Sequence, residues 1–327
     1  MFSRPTVDLS IIIPIYNEEM NLPALYARLS AMLDAQPLQA EVILVNDGSA
    51  DRSLTIIREL AARDPRVHFI TFSRNFGHQI AITAGLDLSR GAAVVVMDGD
   101  LQDPPELIPD LYAKLREGYE VVYAKRRSRQ GESAIKLFTA KVFYRLLARI
   151  TSVNIPLDTG DFRIVSRKVV EALKRMPEQN KFIRGQISWI GYRQTFLEFD
   201  RAERGGGTPG YTYGKLIRLA LDGITSFSDL PLRVASISGF VVSGIAFLVM
   251  LYAIYARFFL KNYGAGWPST IVSVLFLGGV QLMCIGVIGE YIARLGANTR
   301  QRPLYIIDET DMPAPAPYNP HNPHPSA

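Results

Sequence analysis

Ala93-Val94-Val95-Val96-Met97-Asp98-Gly99-Asp100 is the stretch on which the fold turns. Its β-branched apolar run is too short for a helix and reads as a strand buried on both faces, the kind found in parallel sheets. Two carboxylates follow at the strand end, separated by a glycine that permits a tight backbone path. Leu101-Gln102-Asp103-Pro104-Pro105 then reads as the approach to a helix. Working outward, strands are predicted over Leu9–Ile15, Glu41–Val45, Val67–Thr71 and Ala92–Met97, with longer segments of helical period between them. Leu22, Leu25, Leu29, Met32 and Leu33 recur at steps of three and four, so they share one helix face and belong to the core. From Leu9 to Phe199 the chain is therefore expected to be an α/β domain with a mostly parallel sheet. No G-x-G-x-x-G follows the first strand, which excludes a dinucleotide-binding dehydrogenase.

The chain has 327 residues, 48% apolar and 20% charged, which exceeds one average domain and points to two regions with different solvents. Lys and Arg number 36 against 31 for Asp and Glu, and the net charge of +5 suits an anionic partner, nucleic acid or lipid phosphate alike. Cys284, the single cysteine, lies among apolar residues and is expected to be a buried inert thiol in a reducing compartment. The opening MFSRPTVDLS lacks the pattern of a secretory signal, so the first domain is expected in the cytoplasm.

Beyond Gly205-Gly206-Gly207 the composition changes. Lys215–Asp229 reads as an amphipathic helix with Leu216, Leu219, Ala220 and Ile224 on one side, lying on a bilayer or packing on the domain. Val234–Tyr255 gives about 22 residues without a charge and Ile271–Gly289 about 19, each long enough to cross about 30 Å of hydrocarbon. Lys215, Arg218 and Arg233 precede the first span, and Arg294, Arg300 and Arg302 follow the second. The positive-inside bias places both flanks in the cytoplasm, against a minor counterweight from Arg257 and Lys261 between the spans. Pro313–Ala327 reads as a disordered tail in which His321 and His324 are incidental.

The chemistry sits at strand ends, where open α/β sheets bind ligands. Asp98 and Asp100 form a pair that wants a hard divalent cation, Mg²⁺ or Mn²⁺, bridging to a diphosphate. Asp47, in Val45-Asn46-Asp47-Gly48-Ser49, can accept from a uracil imide or a ribose hydroxyl, or can instead close an Asx-turn or cap a helix. Pro14-Ile15-Tyr16-Asn17-Glu18 offers an aromatic face for a base and a carboxylate for ribose, while Asn17 suits a helix cap. His78 is expected to be a packed structural histidine, with a capping or diphosphate-side role as the alternative, and Glu290 to be a structural partner near the end of the second span.

Five motifs together resemble family-2, GT-A-fold glycosyltransferases. They are Ser10-Ile11-Ile12-Ile13-Pro14-Ile15-Tyr16-Asn17-Glu18, Val45-Asn46-Asp47-Gly48-Ser49, Ser73-Arg74-Asn75-Phe76-Gly77, Asp98-Gly99-Asp100-Leu101-Gln102-Asp103-Pro104-Pro105 and Thr159-Gly160-Asp161-Phe162-Arg163. Arg204, Gly207, Tyr211, Lys215 and Leu221-Asp222-Gly223-Ile224-Thr225-Ser226-Phe227-Ser228, then two spans ending in Gly289-Glu290-Tyr291, are similar to the polyprenyl-phosphate branch. That branch includes the bactoprenol glucosyltransferases and resembles dolichol-phosphate mannose synthase in its catalytic half. The likeness runs from Leu9 to Ile307.

The resemblance implies a Rossmann-like GT-A catalytic domain over 1–205 in the cytosol, a juxtamembrane helix region over 206–232 and a two-helix transmembrane hairpin over 233–295. A cytosolic segment over 296–312 and the tail over 313–327 follow. It implies donor binding by Pro14, Tyr16, Glu18, Asp47, Asp98 and Gln102, with the metal on Asp98 and Asp100. Asp161 is implied near the reacting sugar, catalytic together with Asp100 and Arg126, the last preferred over Arg127 and Arg129. Arg204, Lys215 and Tyr211 are implied at the acceptor phosphate, although Arg204 and Lys215 could equally meet anionic lipid, and Thr208-Pro209-Gly210 departs from the pattern there.

The expected reaction is inverting transfer of a hexose, first glucose from UDP-glucose, to undecaprenyl or another polyprenyl phosphate. N-acetylglucosamine, galactose, mannose and aminoarabinose donors are the alternatives. A phosphate monoester has its second pKa near 6 and needs no strong base, so Asp161 is expected to orient rather than deprotonate. The expected setting is the cytoplasmic membrane, with both termini in the cytoplasm, no nucleic-acid partner and, by resemblance, a homotetramer. A processive polysaccharide synthase is disfavoured because no Gln-x-x-Arg-Trp motif is present, and a noncatalytic nucleotide-sugar sensor because Asp98, Asp100 and Asp161 are all kept.

Overall fold

The computed structural model of the chain describes residues 7–126, 159–176, 178–199, 230–255, 259, 266–300 and 302–313. They form two compact units, one drawn from residues up to 199 and again from 302, the other from 230 to 300. Arg127, Arg129, Arg204, Tyr211 and Lys215, the helix expected over 215–229 and the tail beyond 313 lie outside the described residues.

In the first unit β1 (Leu9–Ile15), β2 (Ala40–Asn46), β3 (Val67–Phe72) and β4 (Ala93–Val96) run parallel, within one residue of the predicted ends. With β5 (Val121–Arg126), β6 (Thr159–Ser166), β7 (Gln194–Phe199) and β8 (Ile307–Thr310) they make an eight-stranded mixed sheet in the order β7-β5-β6-β4-β1-β2-β3-β8. This is a Rossmann-like GT-A sheet, with helices on both faces.

All seven side chains of β1 are buried. Alternate residues enter opposite cores, as strand geometry requires. Ile11, Ile13 and Ile15 pack with α1 (Leu22–Asp34), α2 (Ser53–Arg63) and α4 (Ile108–Arg116). Ile12 packs on the other face with α3 (His78–Leu88), α5 (Arg167–Lys174) and α6 (Ile183–Ile190). The predicted stripe of Leu22, Leu25, Leu29, Met32 and Leu33 is the buried face of α1.

Two strands break the parallel pattern. β6 is antiparallel to both neighbours, and Val96 lies opposite Arg163. Continued past the end of β4, that register leads toward Asp98 on one side and Asp161 on the other, and His78 Nε2 lies 3.5 Å from the first and 3.2 Å from the second.

β8 comes from the segment that sequence reading set apart over 296–312, and it pairs antiparallel with β3. Its acidic Asp308 and Glu309 hide the strand from a periodicity search but suit an exposed sheet edge. Several contacts hold it. Arg58 pairs with Glu309, and Asp311 accepts the Phe69 amide at 2.7 Å and binds His68 Nδ1 at 2.9 Å. Tyr305 stacks on Phe72 at 5.3 Å and donates to Asp87 Oδ2 at 3.0 Å.

The second unit contains α7 (Leu230–Tyr255) and α8 (Trp267–Thr299). Leu232–Tyr252 and Val272–Ala293 are long and apolar enough to cross a membrane. Phe240, Leu248, Leu282 and Met283 stand exposed, the pattern of helices whose surroundings are themselves apolar. Cys284 is half-buried rather than buried, with its sulfur 3.7 Å from the Ala235 carbonyl.

Candidate active site

The carboxyl ends of β1, β2 and β4 open on one edge, where the start of α3 and the first residues of β6 meet them. The loop after β4 is closed by its own side chains. Asp103 accepts the Asp98 amide at 3.2 Å, and Asp100 accepts the Gln102 amide at 3.1 Å. At Gly99 the backbone comes close to the core: an added Cβ would lie 2.8 Å from Ile15 Cδ1, the end of a side chain that would have to shift. The positive torsion falls instead on Leu101, at φ 63°, a local strain of the kind that gathers at functional sites.

Asp98 Oδ1 is buried and has no hydrogen-bond partner among the described residues, and His78 Nε2 lies 3.5 Å from it. Burial, together with Asp161 and Asp100, pushes its carboxyl above the ordinary range, against the pull of His78 and Arg184. An orphaned buried carboxylate oxygen beside a second carboxylate fits a hard divalent cation. Among the described residues no three His, Cys, Asp or Glu side chains gather into a closed cage. Asp98 and Asp100 are two carboxylates of the kind that can hold a Mg²⁺-type ion, whose other ligands are commonly waters and phosphate oxygens.

Asp161 is 9% exposed and saturated with donors. Oδ1 receives Arg163 Nη2 at 2.7 Å and Arg184 Nε at 3.1 Å, while Oδ2 meets His78 Nε2 at 3.2 Å and Gln79 Nε2 at 3.4 Å. Burial alone would raise its pKa, but Arg184, His78 and Arg163 outweigh it and hold the carboxyl well below the usual range. Such a group accepts a proton poorly and has little surface left for substrate. His78, expected to be a packed structural residue, is instead 43% exposed and joins Asp161 to Asp98. Burial disfavours its protonated ring, yet Asp161 and Asp98 together raise its pKa.

Asp47 caps no helix, and the turn of its own loop is closed by Asn46, whose Oδ1 accepts the Ser49 amide at 3.1 Å. The Asp47 oxygens accept the amides of Phe76 at 2.6 Å and Gly77 at 2.9 Å, and Gly77 immediately precedes α3. With 3% exposure the residue fixes where α3, and therefore His78, begins. Gly48 makes this possible: its φ is +68°, and an added Cβ would lie 2.7 Å from the Arg74 carbonyl carbon and the Asn75 nitrogen. Gly48→Ala is therefore expected to cost about 1–3 kcal/mol and to weaken nucleotide binding, read by thermal melting and nucleotide titration. Unchanged melting and binding would show that the two loops need not touch.

Asn17 does not cap α1. Its Oδ1 accepts the Ala50 amide at 2.8 Å, its amide donates to Ser49 Oγ at 3.0 Å, and Ser53 Oγ accepts the Glu18 amide at 2.9 Å. These bonds zip the loop after β1 to the loop after β2. Tyr16 is left 51% exposed on this edge. Glu18 accepts from Asn21 at 2.6 Å, and its pKa is raised by burial, then by Asp100, Asp51 and Asp98. Gln102 is buried, and its Nε2 has no hydrogen-bond partner among the described residues. Pro14 is buried within β1 and shapes the strand rather than presenting a surface. Arg126 ends β5 opposite Phe199, and its side chain lies outside the described residues.

Sequence reading gave no role to Arg163, Arg184 or Gln79. Arg163 carried a usable signal, since residues two apart on a strand share a face with Asp161. Arg184 and Gln79 reach Asp161 only through packing.

A family model described as glycosyl transferase family 2 matches residues 10–174. YkcC of Bacillus subtilis (strain 168), an uncharacterized glycosyltransferase, is 49% identical over 304 residues, covering 93% of this chain and 94% of its own. The bactoprenol glucosyl transferase of Shigella phage SfV is 44% identical over 299 residues, covering 91% and 97%. Among solved structures, glucosyl-3-phosphoglycerate synthase from Mycobacterium tuberculosis superposes with TM-score 0.46 at 23% identity, over 68% of this chain and 80% of that one. A strand-end carboxylate pair suited to a cation, on a sheet of this order in a chain so close to named glycosyltransferases, belongs to a member of glycosyl transferase family 2.

Proposed function

We propose that this glycosyltransferase moves a hexose, first glucose from UDP-glucose, onto a polyprenyl phosphate at the cytoplasmic face of a membrane. The observation that carries the reading is the orphaned Asp98 oxygen beside Asp100 and the His78–Asp161 pair, in a chain that also has two membrane-length apolar helices. The glucosyl donor and lipid acceptor are supported by the names of relatives 43–44% identical over nine-tenths of the chain.

As the sugar leaves a nucleoside diphosphate, negative charge builds on the departing phosphate, and groups that meet it there lower the barrier more than they stabilise the bound substrate. Asp98 and Asp100 would hold a Mg²⁺ or Mn²⁺ ion, which supplies Lewis-acid neutralisation of that charge. Tyr16, Glu18 and Gln102 line the donor side, and Asp47 fixes the helix start beneath it. The acceptor phosphate is ionised at neutral pH, and the saturated, strongly acidic Asp161 suits a positioning role rather than proton removal. Direct attack on the anomeric carbon would invert its configuration.

Connectivity supports a hairpin topology. The chain enters α7 from the catalytic unit and returns after α8 to pair β8 with β3 of the same sheet, so both flanks of the two spans share one side. Arg233 at the very start of the first span and Arg294, Arg300 and Arg302 after the second favour the cytoplasmic side.

The test is a donor panel with undecaprenyl phosphate and Mg²⁺ or Mn²⁺, scored as label in the organic phase. Glucose transfer that EDTA abolishes is the expected result. Failure of every donor to label lipid would end this reading, and nucleotide binding without transfer would favour a sensor.

A further inference from the structure

Tyr305 precedes β8 and has no part in the proposed transfer, yet it stands beside the segment that carries Phe76 and Gly77. Its ring stacks on Phe72, the last residue of β3, with centroids 5.3 Å apart and planes 22° from parallel. Phe72 in turn meets Phe76 edge to face at 5.6 Å. The Phe76 amide is the one that Asp47 accepts at 2.6 Å, and the next amide, that of Gly77, also goes to Asp47. Three rings therefore run from the segment that returns after α8 to the backbone from which α3, and with it His78, begins.

Tyr305 holds the far side of this segment as well. Its hydroxyl donates to Asp87 Oδ2 at 3.0 Å, and Asp87 lies in the last turn of α3. Burial and then the Asp87 charge raise the pKa of that hydroxyl, so it stays a donor at any working pH. Beside the ring, the Ser73 amide donates to the Ile306 carbonyl at 3.1 Å. One side chain thus touches β3 before Ser73 and α3 after Gly77, and the stretch between them carries both amides that Asp47 accepts. Rings packed in stacked and edge-on pairs resist sliding past one another, and a displacement of about 1 Å at a site can cost far more than the contact that caused it.

We propose that Tyr305 is a positioning residue for nucleotide binding: acting through Phe72 and Phe76, its ring sets where the Ser73–Gly77 segment and the start of α3 lie against the loop of Asp47. The inference rests on the reading that this strand-end edge takes a nucleotide sugar, but its test does not require turnover. Full-length wild type, Tyr305→Leu, Tyr305→Phe and Asp311→Ala in detergent are titrated with UDP in the presence of Mn²⁺, well below their melting temperatures. Leucine keeps the apolar bulk and removes the ring, and phenylalanine keeps the ring and removes the bond to Asp87. Asp311→Ala loosens the same returning segment at His68 and the Phe69 amide, leaving the rings in place.

Tyr305→Leu should weaken UDP binding about tenfold and Tyr305→Phe by no more than about threefold. Asp311→Ala should melt lower than wild type with its UDP affinity unchanged. In transfer assays the Tyr305→Leu loss should fall on the KM for UDP-glucose, with the KM for undecaprenyl phosphate unmoved. Wild-type UDP affinity in Tyr305→Leu, however low its melting, overturns the proposal. An equal loss in Asp311→Ala overturns it too, since the returning segment would then be a general support. If Tyr305→Leu does not fold, Phe76→Leu cuts the same chain of rings at its other end and carries the same expectations. A wild type that binds UDP but labels no lipid ends the transfer reading alone, and one that binds no nucleotide ends both.

Discussion

Asp98→Asn should lower the transfer rate by about a thousandfold, the scale set by removing one preorganised group that meets developing charge. The amide keeps the shape of the side chain and one oxygen, so the loss isolates the negative charge needed to hold a cation. The same substitution should leave the metal-free protein as stable as wild type or more so. The sign follows from the folded carboxyl being raised above its ordinary value of 3.8 by burial, Asp161 and Asp100. Above that pH the ionised form opposes folding, and a neutral amide removes the opposition. Transfer assays across Mn²⁺ concentrations and melting curves with EDTA check both halves. A variant within tenfold of wild-type activity would remove Asp98 from the metal site.

Asp161→Asn is expected to cost stability as well as activity. It leaves two guanidiniums and an imidazole without the carboxylate they share, and breaking a buried ion pair costs about 3–5 kcal/mol. Here the folded carboxyl is depressed below the ordinary value of 3.8 by Arg184, His78 and Arg163, against burial. Its contribution is therefore fully present above that value and fades as pH falls through the lower folded one. Melting of wild type and variant should differ at neutral pH and converge in strong acid. Raising the pH above neutrality should not restore transfer by the variant, whereas recovery at high pH would show Asp161 to be a true base. A variant that melts like wild type would contradict the bonding around Oδ1 and Oδ2.

Much of the parallel half of the fold was legible because its strands are buried on both faces and read as unbroken apolar runs. Leu9–Ile15 and Ala93–Val96 needed only their own residues to be recognised. The carboxylates at strand ends were legible for the same reason, since a buried strand that stops on aspartate announces a polar edge. What a single sequence conceals is pairing. Nothing local says that β6 runs antiparallel to β4 and so brings Asp161 toward Asp98, or that Ile307–Thr310 returns to β3. The role of His78 was hidden likewise, because helix-start histidines are ordinary and its two carboxylate partners lie 20 and 83 positions away. Asn17 misled because its side-chain oxygen serves equally well on a neighbouring loop as on a helix.

The late return of β8 also orders events during synthesis. Strand β3 leaves the ribosome with one edge unpaired, and the residues that cover it emerge only after both apolar helices have been made. Until then the segment leading into α3 lacks its last supports, the Tyr305 ring against Phe72 and the bond from the Ser73 amide to the Ile306 carbonyl at 3.1 Å. The nascent chain thus completes the wall behind its strand-end carboxylates only after both apolar helices have been produced.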